Sequence, residues 1–352
     1  MKRTSTTQLL GHMILPLIVF SLLATQVTSN LNKLKATEDE ETLLVVEIGR
    51  HGTRIPITTV HKPLPDWTMR VPAPQLTDIG HRQHYYLGRE MAKQFPQIFN
   101  KKLRREYIYV RSTRIQRTLA SAQAHLMGAF SSSVDPGQMI DQLEFDYTDE
   151  RQLPQTVTKE EAKILFKGRS GPTFPGGFVP FIANSFKSGQ DYLLDYLHPE
   201  SCPVGAKKND KKIEEFKQDL RKQPGYLEVV KKAAEIFDID MNEISDPTDI
   251  SINIGDFVGL DWRNNLNPKV PRSHPYYSKF RRYIEAINTV AMLDPQIRAA
   301  AIAPLIMNIV ELLKKGSTNA TSTIPIPNNP RYVYYSSHDT VVAPLLELLG
   351  QL

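Results

Sequence analysis

Apolar residues in this chain gather in short runs of β-branched and aromatic side chains, each closed by polar residues and followed by a helical pattern. ETLLVVEIGR (41–50) is apolar through most of its length, as expected of a strand buried on both faces of a parallel sheet. A loop holding Pro56, Pro63, Pro65, Pro72 and Pro74 follows. LTDIGHRQHYYLGREMAKQF (76–95) then restores helical periodicity, with Thr77 or Asp78 as the N-cap. EYIYVRST (106–113) predicts a second strand and IQRTLASAQAHLMGAF (115–130) a second helix. Strand, loop, helix, strand, helix is the rhythm of an α/β domain.

Between about 135 and 285 that rhythm is lost. Turn signals at GRSGP (168–172), FPGG (174–177) and DWRNNLNP (261–268) punctuate a loop-rich, helical stretch that reads as an insert or cap. IRAAAIAPLIMNIVELLKKG (297–316) is an apolar helix stopped by Lys-Lys-Gly. Pro304, Asn308 and Glu311 break up its apolar run, so it predicts a core helix rather than a membrane span. RYVYYSSHDTVVAPLLELLG (331–350) repeats the opening logic: strand, polar residues at its end, helix. No repeat of fixed period is present.

Composition adds bounds. The 352 residues are 41% hydrophobic and 23% charged, with a net charge of +5, ordinary values for a globular chain with a sizeable core. KKNDKKIEEFKQDLRK (207–222) mixes signs as a solvated helix does, and charge gives no indication of nucleic-acid binding. Lys2 and Arg3, the apolar run 9–24 and the small residues 27–29 form the three parts of a secretory signal peptide covering 1–29, which leaves no stable membrane span once removed. The sequon at Asn319 fits that route and predicts a surface glycan. Cys202 is the single cysteine, so no intrachain disulfide forms; it reads as a bystander thiol in a loop.

Three strand ends carry the chemistry: Arg50-His51-Gly52-Thr53-Arg54, Arg111-Ser112-Thr113 and His338-Asp339-Thr340. Open parallel α/β sheets bind ligands beyond the carboxyl ends of their strands, so these groups can converge. Two cations beside one imidazole repel each other in an ordinary core. An anion shared between them resolves the conflict, because arginine forks match phosphate oxygens and an imidazole can attack phosphorus.

These stretches resemble the histidine acid phosphatases, the branch of the histidine phosphatase superfamily that includes prostatic and lysosomal acid phosphatases and phytases. RHGTRIP (50–56) is similar to the family's R-H-G-x-R-x-P signature, VRSTRIQRTLASA (110–122) to its second arginine block, and SSHDT (336–340) to its His-Asp motif. LTDIGHRQHYYLG (76–88) resembles the helix between the first two. From residue usage alone, R-H-G-x-R arises in a chain this long about one time in a thousand.

The resemblance implies an α/β fold with a phosphoglycerate mutase-like core at about 40–134 and 300–352 and a mostly helical cap at about 135–299. It implies a secreted or lysosomal acid phosphatase acting on phosphate monoesters without a metal or other cofactor. His51 is then the nucleophile and Asp339 the general acid, with Arg50, Arg54, Arg111 and His338 holding the phosphoryl oxygens. Arg117 also matches the family pattern and is assigned a structural task on its helix. Alternatives within the same chemistry are a phytase or a lysophosphatidate phosphatase. Relatives continue beyond the His-Asp motif where this chain stops at Leu352, so a truncated, inactive phosphate-binding homologue is the alternative of another class.

The remaining histidines carry less. His81 and His84, three apart on a helix, read as solvated polar residues, since no third ligand accompanies them. His125 reads as core or helix surface. His61, His198 and His274 lie in loops without a motif, and Arg114 faces the rim or solvent.

Overall fold

The computed structural model describes residues 42–56, 74–99, 107–130, 144–145, 158–165, 171–172, 181–196, 198–241, 248, 256, 258, 269–282, 294–317 and 330–350. The signal segment, the turns at 174–177 and 261–268, His61 and Asn319 lie outside them.

The elements run β1 (Val45–Arg50), α1 (Asp78–Gln94), α2 (Pro96–Phe99), β2 (Ile108–Ser112) and α3 (Gln116–Phe130). Then come β3 (Glu144–Phe145), α4 (Lys159–Leu165), β4 (Gly171–Pro172), β5 (Ala183–Asn184), α5 (Pro203–Arg221) and α6 (Tyr226–Phe237). The last are α7 (Pro295–Ser317), β6 (Tyr332–Ser337) and α8 (Asp339–Leu348). The main sheet has the order β1-β6-β2-β5, and every pairing in it is parallel. β3 and β4 form a separate antiparallel pair.

Alternation along the strands sorts the core into two layers. Val45, Ile108, Val110, Tyr332 and Tyr334 face Ala122, Leu126, Ala129 and Phe130 of α3. The intervening residues Tyr109, Val333 and Tyr335 face Leu305 and Leu312 of α7 and Val341 of α8, with Leu193 and Leu194 beside them. β6 is buried along its whole length, as a strand between two neighbours and two helical layers must be. In α7 the residues Ile297, Ala301, Leu305, Asn308 and Leu312 form the buried stripe, and Met307, Val310 and Leu313 point outward. The helix begins at Pro295 because the Asp294 carboxylate accepts from the amides of Gln296 and Ile297 at 2.9 and 3.1 Å.

Part of the stretch read as insert returns to the sheet. β5 pairs with β2, and residues 191–196 pack against β2, β6 and α7. Its pairing with β2 spans two residues, too short to leave a strand pattern in the sequence. α5 and α6 carry a core of their own, in which Tyr226, Val230, Phe237 and Phe280 are buried.

Candidate active site

Because β6 lies between β1 and β2, the carboxyl ends of these three strands stand side by side. The loop leaving β1 is held by its backbone from three directions. His51 N donates to Ser337 O at 3.0 Å, extending the β1–β6 ladder by one residue. Gly52 N donates to Ser121 Oγ of α3 at 3.0 Å, and Thr53 N to Gln83 Oε1 of α1 at 2.9 Å. Thr53 O accepts from the Thr77 amide and hydroxyl, and Arg50 O from His84 Nε2 at 3.0 Å. With its polar backbone groups satisfied, the loop pays no desolvation penalty for burial. Gly52 is needed here: a side-chain carbon on it would collide with the Gly80 carbonyl, so α1 starts directly against the loop. Thr77 is the N-cap of α1, its hydroxyl accepting from Gly80 N at 3.2 Å.

His51 is 4% exposed, and its Nδ1 donates to Gly52 O at 2.8 Å, which leaves Nε2 as the ring nitrogen with a free lone pair. Burial first, then the charges of Arg50, Arg117 and the neighbouring His338, hold its pKa far below the ordinary imidazole range. His338 ends β6 as the residue before α8, with its ring centroid 5.4 Å from that of His51. Burial and the Arg117 charge lower its pKa to about 4. Its Nε2 meets Thr113 Oγ1 at 2.9 Å, and Thr113 Oγ1 meets Thr118 Oγ1 at 2.8 Å. The Thr118 hydroxyl donates to the carbonyls of Thr113 and Ile115, which assigns the next proton to Thr113 and the Nε2 proton to His338.

Asp339 opens α8, where a carboxylate complements the helix dipole. Its Oδ2 accepts from Arg50 Nε at 3.2 Å, with side chains 45% and 32% exposed. Burial raises the carboxyl pKa, but the Arg50 charge and hydrogen bond, with His338 and Arg54 behind them, outweigh it and set the group below its ordinary value. Arg54 is buried and forks onto Asp256, Nη1 to Oδ2 at 3.0 Å and Nη2 to Oδ1 at 3.2 Å. Asp256, from the insert, carries no sequence motif and was not expected here.

Arg111 is not brought to this cluster. It follows Tyr109 by two residues on β2 and so points to the α7–α8 face. There Arg111 Nη2 donates to Asp191 Oδ1 at 2.5 Å, with side chains 4% and 2% exposed, and the guanidinium lies 4.1 Å above the Phe186 ring. Arg111, expected to bind phosphate, instead has one terminal nitrogen held by a buried carboxylate. Arg117, assigned a structural task, acts electrostatically on His51 and on both neighbouring arginines. It lies in the first turn of α3, is 9% exposed, makes no ion pair among the described residues and has an unpartnered Nε. Burial and repulsion from Arg54 and Arg50 lower its pKa to about 10, against attraction from Asp339 and Asp256.

Of two other histidines, His84 differs from expectation. His84 is 3% exposed rather than solvated, because the loop needs its Nε2 as donor to Arg50 O; burial and nearby His125 lower its pKa to about 4. His125 is fully buried, with Nε2 at 3.0 Å from both Tyr332 Oη and Glu47 Oε2. Among the described residues no group of three His, Cys, Asp or Glu stands ready to hold a metal ion.

Residues 41–352 match the model of the histidine phosphatase superfamily, branch 2. Testicular acid phosphatase of Mus musculus is 33% identical over 170 residues, 47% of this chain and 36% of that protein. Prostatic acid phosphatase of Bos taurus is 27% identical over 205 residues, 57% and 44% of the two chains, and lysosomal acid phosphatase of Bos taurus 24% over 328 residues, 91% and 66%. The matches thus span less than half the length of the first two relatives. Among solved structures, a Hafnia alvei phytase in complex with tartrate superposes with a TM-score of 0.54 at 15% identity, over 90% of this chain and 76% of its own. The phytase from Citrobacter braakii does so with 0.55 at 14%, over 88% and 76%. At such identities the likeness is one of fold. With the family model covering nearly all of the chain from β1 onward, the protein belongs to branch 2 of the histidine phosphatase superfamily.

Proposed function

We propose that the protein hydrolyses phosphate monoesters in acid through a phosphohistidine on His51, with Asp339 as general acid. The observation that carries this reading is His51 itself: a buried imidazole kept unprotonated among arginines, with Nδ1 tied to Gly52 O and Nε2 left to attack.

Arg50, Arg54 and Arg117 take the equatorial phosphoryl oxygens, where charge accumulates as the leaving group departs. Nε2 of His51 bonds to phosphorus, the ester P–O bond breaks, and Asp339 gives its proton to the departing alkoxide. Water then attacks the phosphohistidine, Asp339 accepts its proton, and inorganic phosphate leaves. Asp339 begins ionised on Arg50. A phosphoryl group that draws Arg50 away removes that partner and adds negative charge, and both effects raise the Asp339 pKa toward the protonated acid the step needs. Phosphate monoesters have a second pKa near 6, so a monoanionic substrate can deliver the proton itself, and activity peaks on the acid side of neutrality. His338 has its Nε2 proton committed to Thr113; the phosphoryl charge favours protonation of Nδ1, making it a further donor.

The domain reading follows. Residues 1–29 serve as a removable export signal, 40–352 form one catalytic domain, and the insert over 135–299 selects the substrate. Relatives named prostatic and lysosomal acid phosphatases support a secretory destination, and the sequon at Asn319 is the glycan site on that route. The test is a rapid alkaline quench of the protein mixed with radiolabelled substrate. Label should be retained as base-stable, acid-labile phosphohistidine and be absent from His51→Ala. Label retained by the Ala variant, or activity that requires Mg²⁺, would refute the assignment.

A further inference from the structure

Arg54 reaches the site with its guanidinium already engaged. Its two terminal nitrogens meet the two oxygens of Asp256 side by side at 3.0 and 3.2 Å, the geometry a phosphoryl group would itself demand. Nη1 also donates to Ile55 O at 3.0 Å, and Nε is buried without a partner. The side chains are 7% and 19% exposed, so water screens this pair far less than it screens Arg50 and Asp339. Asp256 also acts electrostatically on Arg117. Phosphoryl transfer has no evident use for this second carboxylate, since Asp339 already supplies the acid. A fixed negative charge against an anion-binding arginine opposes anion binding.

We propose that Asp256 sets the anion affinity of the phosphate site. It holds the Arg54 fork in the free protein, competes with the incoming phosphoryl group for it, and keeps inorganic phosphate, the product, weakly bound. The inference rests on the phosphatase reading above. An entering phosphoryl group must displace Asp339 from Arg50 and Asp256 from Arg54; Arg117 is the arginine of the cluster that has no ion pair among the described residues. The same two carboxylates then recover their arginines as phosphate leaves, which shortens product residence.

The test is calorimetric titration of inorganic phosphate into the full chain and into Asp256→Asn, which keeps an acceptor oxygen for Arg54 but removes the charge. The Kd should fall about five- to tenfold, the effect of one screened charge contact. Phosphate should strengthen in parallel as a competitive inhibitor of p-nitrophenyl phosphate hydrolysis. In an Arg54→Met background the substitution should have little effect, because the competed fork is gone. Asp256→Ser provides the same comparison if Asp256→Asn fails to fold, with melting curves as the check. An unchanged or higher Kd in a folded variant overturns the inference and leaves the phosphatase reading intact, since Asp256 would then only position Arg54. Failure of both the wild-type chain and the folded variant to bind phosphate overturns both.

Discussion

Exchanging the roles of two arginines in one motif makes a sharp test: Arg117→Met and Arg111→Met should fail in opposite ways. Arg111 and Asp191 are both nearly inaccessible to water, so removing one partner strands a charge in a medium that solvates it poorly. Breaking such a pair costs about 3–5 kcal/mol of stability. At ~2–3 °C per kcal/mol for a domain of this size, the melting temperature should drop by roughly 6–15 °C. Turnover per folded molecule should persist, because Arg111 faces α7 and α8 rather than His51. Arg117 has no ion pair to lose among the described residues, and burial and its arginine neighbours work against it. Its removal should leave stability equal or slightly higher, while turnover loses about 2.7–4 kcal/mol of transition-state stabilisation, a hundred- to a thousandfold. The assay is p-nitrophenyl phosphate hydrolysis well below each variant's melting point, with calorimetry on the same samples. Arg111→Met with Asp191→Leu should regain stability, since the pair leaves together. Turnover of Arg117→Met within tenfold of wild type, or an inactive but folded Arg111→Met, would refute these roles.

Asp339→Asn should cost more with glycerol phosphate than with p-nitrophenyl phosphate in single-turnover phosphorylation, by roughly ten- to a hundredfold, about 1.4–2.7 kcal/mol, because only the poor leaving group needs the proton. Equal losses would return Asp339 to an orienting role. His84 and His338 remain neutral in the folded chain down to about pH 4, whereas unfolded histidine takes its proton near 6.5. The unfolded state therefore binds more protons within that window, and melting temperature should fall as pH drops from about 6.5 to 4. Saturating phosphate, by charging His338, should flatten part of the slope; a melting temperature independent of pH there would contradict both assignments.

The main elements were legible because burial restricts composition: β2 and β6 are buried throughout and β1 is half-buried, and all three are runs rich in β-branched and aromatic residues, each with a helix to follow. Side-chain direction was harder to read. Arg111 and Arg117 share one block, and their separation comes from two different periodicities. Arg111 repeats Tyr109 on a strand, while Arg117 lies four residues before Ser121 on a helix, the residue whose hydroxyl holds Gly52 N. That helical spacing was a usable signal. The same holds for His84, which lies seven residues after the Thr77 cap and a turn beyond Gly80, both of them against the loop. Asp256 offered no such handle, because a carboxylate recruited from an insert has neither motif nor period to mark it.

The position of β6 sets a condition on how the molecule comes into being. β1 and β2 emerge first from the ribosome, yet they do not pair with each other; each pairs with β6, which is made long after both. Until then two apolar strands and the loop bearing His51 have no partner along their inner edges, and contacts of such long sequence separation form slowly. The early chain is thus prone to associate through open edges. The strand that relieves this exposure leads directly into His338 and Asp339, so completion of the sheet and arrival of these two side chains beside His51 and Arg50 are one event.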